Sequence, residues 1–263
     1  MKLKFLLLDG IFLLSRVSTV TAQYDFEKYP AIKYTQEKKW KIIKSDSTKV
    51  IYSVTFQGFY KNHDALTLKY TYADDSAKSI LRLYRNKKYI QKFMVPGSDM
   101  KDLMDTVEMD DPVRVADING DSLADIKIFI PNLYRCGAYN NCANIIYLFQ
   151  DTIGKFKRIS FYDTFYSDAD TIGEDTIINR PERDFDGDGK YEIITQTFRS
   201  YRRHNYWVFN LFDYKNGRLV NVNDKADYPI MVQLLYRANF SITNKLTRQE
   251  MKKFSASHPD FDW

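Results

Sequence analysis

Histidine is scarce in this chain: only His63, His204 and His258 occur among 263 residues. No two of them stand at the spacing of a metal-ligating pair, and none neighbours a serine or cysteine motif. Zinc chemistry on a helix and the Gly-x-Ser-x-Gly nucleophile elbow are therefore excluded, and no phosphate-binding loop is present. Glycine and proline are also few, ten and seven, which excludes collagen-like and low-complexity character. Beyond the N-terminal segment, no stretch approaches the roughly 18 consecutive apolar residues of a membrane-spanning helix. With so little catalytic vocabulary, the chain is expected not to be an enzyme.

Aromatic residues are plentiful instead, at 16% of the chain, and most of them are Tyr and Phe. Such residues suit pleated, half-buried surfaces, so composition leans toward β structure. The net charge of +5 is spread along the chain. One basic cluster stands out, Arg199, Arg202 and Arg203, with His204 beside it. Acids dilute the rest too far for a nucleic-acid partner. Lys2 and Lys4 precede the apolar stretch Phe5 to Leu14, and Val20-Thr21-Ala22 offers small residues for cleavage. Residues 1–22 are thus expected to be a signal peptide, interrupted only by Asp9, and the protein to be periplasmic or secreted. In an oxidising compartment, Cys136 and Cys142 suit a disulfide closing a small loop. A two-cysteine metal site is the rival, and it lacks a nearby His.

Residues Tyr24 to Lys41 read as a lead-in strand and loop, and short alternating runs fill the body of the chain. Val50–Phe56, Leu66–Tyr72, Ser79–Tyr84 and Tyr89–Val95 read as strands, with a polar hairpin turn at Arg85-Asn86-Lys87-Lys88. After an acidic stretch, Asp99 to Asp111, an internal repeat appears. One copy runs from the acidic loop Asp117–Asp125 through strands at Lys127–Ile130, Ile145–Phe149 and, past Gly154, Phe156–Ile159. The other runs from Asp184–Glu192 through Ile194–Phe198, Tyr206–Phe212 and, past Gly217, Leu219–Val222. The segment Leu66 to Val95 has similar strands without the acidic loop. These units predict an all-β, propeller-like body over residues 23–225, with a β-sandwich as the alternative. Residues 226–263 are expected to form an extension packing on it, with a capping box at Thr247-Arg248-Gln249-Glu250 opening a short helix through Phe254.

The acidic loops carry the chemistry. Calcium takes six to eight oxygens in flexible geometry, and a curling loop offers them at alternate positions. The first loop offers Asp117, Asn119, Asp121 and Asp125, with the carbonyl of Leu123. The second offers Asp184, Asp186, Asp188 and Glu192, with the carbonyl of Lys190. Both follow the spacing 1, 3, 5, 7, 9. Neither is an EF-hand, because position 12 is Ile128 in one and Thr195 in the other. Taken singly, either loop is equally an Asx–Gly turn between strands. Two in the same register, each ahead of an Ile-rich strand, point to calcium. The fourth acid of the second loop predicts tighter binding there.

Val115 to Ile128 and Asp184 to Thr195 resemble the calcium loops of FG-GAP/VCBS-type repeats, which read Asp-x-Asx-x-Asp-Gly-x-x-Asp before a hydrophobic strand. The layout also resembles small exported bacterial proteins with such loops, including relatives of periplasmic lysozyme inhibitors. The chain departs from the pattern at Ser122, where Gly is usual, and at Glu192, where Asp is usual. The resemblance implies a propeller or propeller-like body, calcium as a structural ion, and binding surfaces made of loops.

The function expected from these features is that of an exported, monomeric calcium-binding module, with an unidentified protein or glycan of the cell envelope as its partner. Enzyme inhibition is a special case. The loop around Tyr134, Arg135 and Tyr139 and the loop Tyr201-Arg202-Arg203-His204 occupy equivalent places in the two repeats. Aromatic and arginine side chains of that kind favour interfaces. The alternative is a secreted glycan hydrolase with structural calcium, which would require two facing carboxylates in a cleft, drawn for example from Asp74–Asp75 or Asp110–Asp111.

Overall fold

The structure is a computed structural model that describes residues 29–46, 49–73, 79–95, 109, 111–132, 142–163, 181–233 and 246–257. The expected signal peptide, Cys136, the side chain of Cys142, the loop at Tyr134, Arg135 and Tyr139, and the acid pair Asp74–Asp75 lie outside these residues, as does Asp110.

Strand formation follows the alternation. In β3 (Lys49–Phe56) every second side chain is buried, a period of two that places one face in the core. It belongs to a five-stranded antiparallel meander with β2 (Lys41–Asp46), β4 (Leu66–Ala73), β5 (Ser79–Arg85) and β6 (Lys88–Val95). The β5–β6 hairpin closes through Asn86 and Lys87, both with positive φ, as a two-residue turn matching the strand twist requires.

The middle sheet has the order β1 (Gln36–Lys38), β7 (Val113–Ala116), β8 (Asp125–Asn132), β9 (Cys142–Gln150) and β10 (Phe156–Asp163). Its first strand comes from ahead of the meander and pairs with β7, Lys38 standing opposite Val113. The third sheet comprises β11 (Glu182–Arg183), β12 (Glu192–Tyr201), β13 (His204–Lys215) and β14 (Arg218–Asn221), with β15 (Ile230–Gln233) also on β13. All pairings within the three sheets are antiparallel, and none of the sheets closes into a barrel. The all-β expectation is met. The tail contributes more than expected, since β15 is a strand of the third sheet.

The sheets stack as three layers. Ile126, Ile128, Ile146 and Leu148 on one face of the middle sheet join the core of the meander, around Phe56, Leu68 and Leu83. Phe129, Ile145, Tyr147 and Phe149 on its other face pack with Ile193 and Phe212 of the third sheet. Each buried Ile or Phe of this kind stabilises by about 1.5–3 kcal/mol, so the doubly covered sheet anchors the molecule. Helix α1 (Arg248–Ser257) begins behind Thr247, whose hydroxyl accepts the Glu250 N–H while the Glu250 carboxylate accepts the Thr247 N–H. It lays Phe254 against Tyr206 and Val208 of β13.

One polar cluster is sealed between the middle and third sheets. Lys127 Nζ lies 2.9 Å from Glu182 Oε1, with both side chains essentially without solvent contact. The Tyr34 hydroxyl donates to Glu182 at 2.7 Å, and the Tyr147 hydroxyl donates to it as well. Burial, followed by the Glu182 charge, drives the Tyr34 pKa well above its ordinary value.

Candidate metal centre

Each acidic loop spans the gap between a short strand and a long one: β7 and β8 flank Asp117–Asp125, and β11 and β12 flank Asp184–Glu192. Their internal wiring is alike but for one donor to the first acid, position five in the first loop and position four in the second. The first acid receives two backbone N–H groups from further round the loop. Asp117 takes those of Asp121 (3.0 Å) and Ser122 (2.8 Å), and Asp184 takes those of Gly187 (2.7 Å) and Gly189 (3.2 Å). The fifth-position acid receives the N–H of position seven, Leu123 on Asp121 and Lys190 on Asp188. Positions four and six are left-handed in both loops: Gly120 and Ser122 at φ 71° and 64°, Gly187 and Gly189 at φ 78° and 80°. Ser122 thus adopts the backbone that its glycine counterpart adopts, and the departure from the Gly pattern leaves the loop shape intact.

The ninth-position acids behave differently from the others. Asp125 and Glu192 are fully buried. Asp125 accepts the N–H of Ile118 at 3.0 Å and that of Gln150 at 2.9 Å. Glu192 accepts the N–H of Phe185 at 3.0 Å, the same position-two donor. Each carboxylate pins the base of its loop to the sheet. Burial pushes the Asp125 carboxyl up to about 7 despite the two N–H donors that favour its charged form.

Among the described residues, one set of three acids brings its ligand atoms within 4.8 Å of one another: Asp184, Asp186 and Asp188. That span matches oxygens gathered around an ion at calcium–oxygen distances of roughly 2.3–2.6 Å. In the first loop, Asn119 Nδ2 donates to Asp121 Oδ2 at 3.1 Å, and the Asn119 carbonyl oxygen accepts the Asp121 N–H. This loop is therefore tied together by its own amide as well as by its acids.

Lys225 was not legible as part of the site. It lies in a short 3-10 turn after β14, and its Nζ reaches Asp186 Oδ2 at 2.7 Å and also bonds Glu192. The hydrogen bond from Lys225 is the main reason the Asp186 pKa is lowered. Burial opposes the Lys225 charge, but the bonds to Asp186 and Glu192 outweigh it and raise its pKa. The fourth acid of the second loop is thus matched by a cation of the chain itself. Lys225 is remote from the loop in sequence, and no local spacing marks it.

The two loops touch. Tyr191 N–H donates to the Ile118 carbonyl at 3.0 Å, and the Lys190 side chain lies over Gly120, where a Cβ would meet its Cγ at 2.5 Å. The hairpin tip at Tyr201–His204 is held elsewhere. Arg202 pairs with Glu250 at 2.6 Å, Tyr201 packs on Phe254, and His204 contacts Gln233. The C-terminal helix therefore covers part of this expected contact loop.

Compared with protein-family models, with curated proteins and with solved structures, the chain finds no match. Among the described residues, no helix is long and apolar enough to cross a membrane.

Proposed function

We propose that this chain is an exported calcium-binding β-repeat protein whose sheets are propeller-like blades, and that it works as a non-enzymatic binding module. The observation that carries this reading is the shared wiring of the two acidic loops. Position one caps the loop, position nine pins it, and positions four and six turn left-handed, while Asp184, Asp186 and Asp188 face one another. A bare Asx turn needs one such carboxylate, and its register would not recur across two sheets. Calcium at these loops is a structural ion, taken up by Asp117, Asn119, Asp121 and the Leu123 carbonyl in one, and by Asp184, Asp186, Asp188 and the Lys190 carbonyl in the other. Asp125 and Glu192 hold the base of each loop.

The blade reading draws on a second recurrence. The Gly154 turn meets Arg85 of the preceding sheet, and the equivalent Gly217 turn meets Lys157 of the sheet before it. Successive units therefore lean on one another in the same way.

A thermal melt tests the metal. Calcium that binds only the folded state raises the melting temperature, by about 2.7 kcal/mol of stability at a hundred times its dissociation constant. The rise relative to EDTA is expected to shrink in Asp186→Ala and in Asp121→Ala. An unchanged melting temperature in calcium and EDTA would reduce the loops to turns.

A further inference from the structure

A groove of about 550 Å³ is lined by the Lys38–Lys41 segment and Ile43 on one part and by Ser53, Val54 and Thr55 of β3 on the other. None of these lining residues is acidic. Lys38 is anchored, its ammonium donating to the Thr55 carbonyl at 2.9 Å. Lys39, Lys41 and Lys44 are exposed. The adjoining strand β2 pairs with β3 alone among the described strands, so its outer main-chain edge has no described strand on it. A register shift between Ile42 and Lys44 marks a bulge there, and Ile42 and Ile43 are left 62% and 53% exposed.

Lysines and a bulge on an edge strand keep a sheet from pairing with copies of itself. The same charges favour an incoming strand of opposite sign. Ile42 and Ile43 give that strand apolar contact, and the groove gives its side chains room. A carbohydrate polyanion would use the lysines but not the main-chain edge or the isoleucines.

We infer that the β2 edge and the groove beside it dock an extended acidic peptide segment of a partner protein, added as a sixth strand to the meander. The partner's main chain pairs with β2, its carboxylates meet Lys39, Lys41 and Lys44, and its apolar side chains rest on Ile42 and Ile43. The inference supplies a partner class for the binding module and rests on that reading. It involves neither acidic loop, so it and the calcium melt can fail separately.

Fluorescence anisotropy with the full chain decides it. The probe is a labelled peptide of about eight residues alternating glutamate with valine. Its controls are the lysine-for-glutamate peptide, the acidic peptide with a central proline, and a sulfated polysaccharide. Saturable binding is expected for the acidic peptide alone, weakened by about tenfold or more in K39E/K41E/K44E and by raised salt. The neutral K39Q/K41Q/K44Q variant should weaken binding less, and serves alone if the reversed variant does not fold. Equal binding of the proline peptide, tighter binding of the polysaccharide, or unchanged affinity in the lysine variants would overturn strand addition.

Discussion

Lys127 shows what a single buried charge does in this protein. On β8 it alternates with isoleucines and looks, by pattern, like an outward-facing residue, yet it is buried against Glu182, Tyr34 and Tyr147. Removing one member of a buried pair leaves the other charge without its counter-ion, a loss of about 3–5 kcal/mol. Lys127→Met is therefore expected to destabilise by that amount in urea denaturation. Lys127→Met with Glu182→Gln should recover much of it, because the uncompensated charge is gone. Asp64 shows the opposite case at the surface. Hydrogen bonds from Asn62 and then Arg85 and Asn86 hold its carboxyl below the usual carboxylate range. A depressed pKa means stability that is present above the unfolded value, about 3.9, and lost as the pH falls through the folded one. The melting-temperature gap between the native chain and Asp64→Asn should hold steady from neutral pH to about 4 and close below it.

At the scale of elements, the contact between the two acidic loops sets Gly120 apart from Gly187. Both are left-handed, so alanine at either strains the backbone by about 1–2 kcal/mol. Only at Gly120 does a Cβ also meet Lys190, while the space around Gly187 is open. Gly120→Ala is expected to lower the melting temperature more than Gly187→Ala, and Lys190→Ala added to it should erase the difference. These loops and the strands flanking them were legible because their signals are local. Alternation in Val50–Phe56 became β3, the polar turn after Tyr84 became the Asn86–Lys87 hairpin, and the matched acids became matched loops. What stayed hidden is non-local. The expected lead-in strand is β1, but that it skips the meander to pair with β7 is marked by no local signal, and Lys225 enters the second loop from a turn beyond β14. The ninth-position acids were legible as part of the loop, but that Asp125 and Glu192 turn inward to pin it follows from burial that no spacing records.

At the scale of the whole molecule, the layered order predicts a gradient of protection. The middle sheet is covered on both faces, by the meander on one side and the third sheet on the other. Amide hydrogen exchange should be slowest in β8 and β9 and fastest in β2, whose outer edge carries no described strand. The pairing of Lys38 with Val113 has a further consequence, which concerns the order of assembly. Every strand pairing within the meander is between neighbours along the chain, so its loop-closure entropy is small and it can form early. The meander enters at one edge strand, β2, and leaves at the other, β6, so the β1–β7 pairing still closes a loop across the whole sheet and is expected to form after it. The central sheet therefore gains its first strand only once the meander stands.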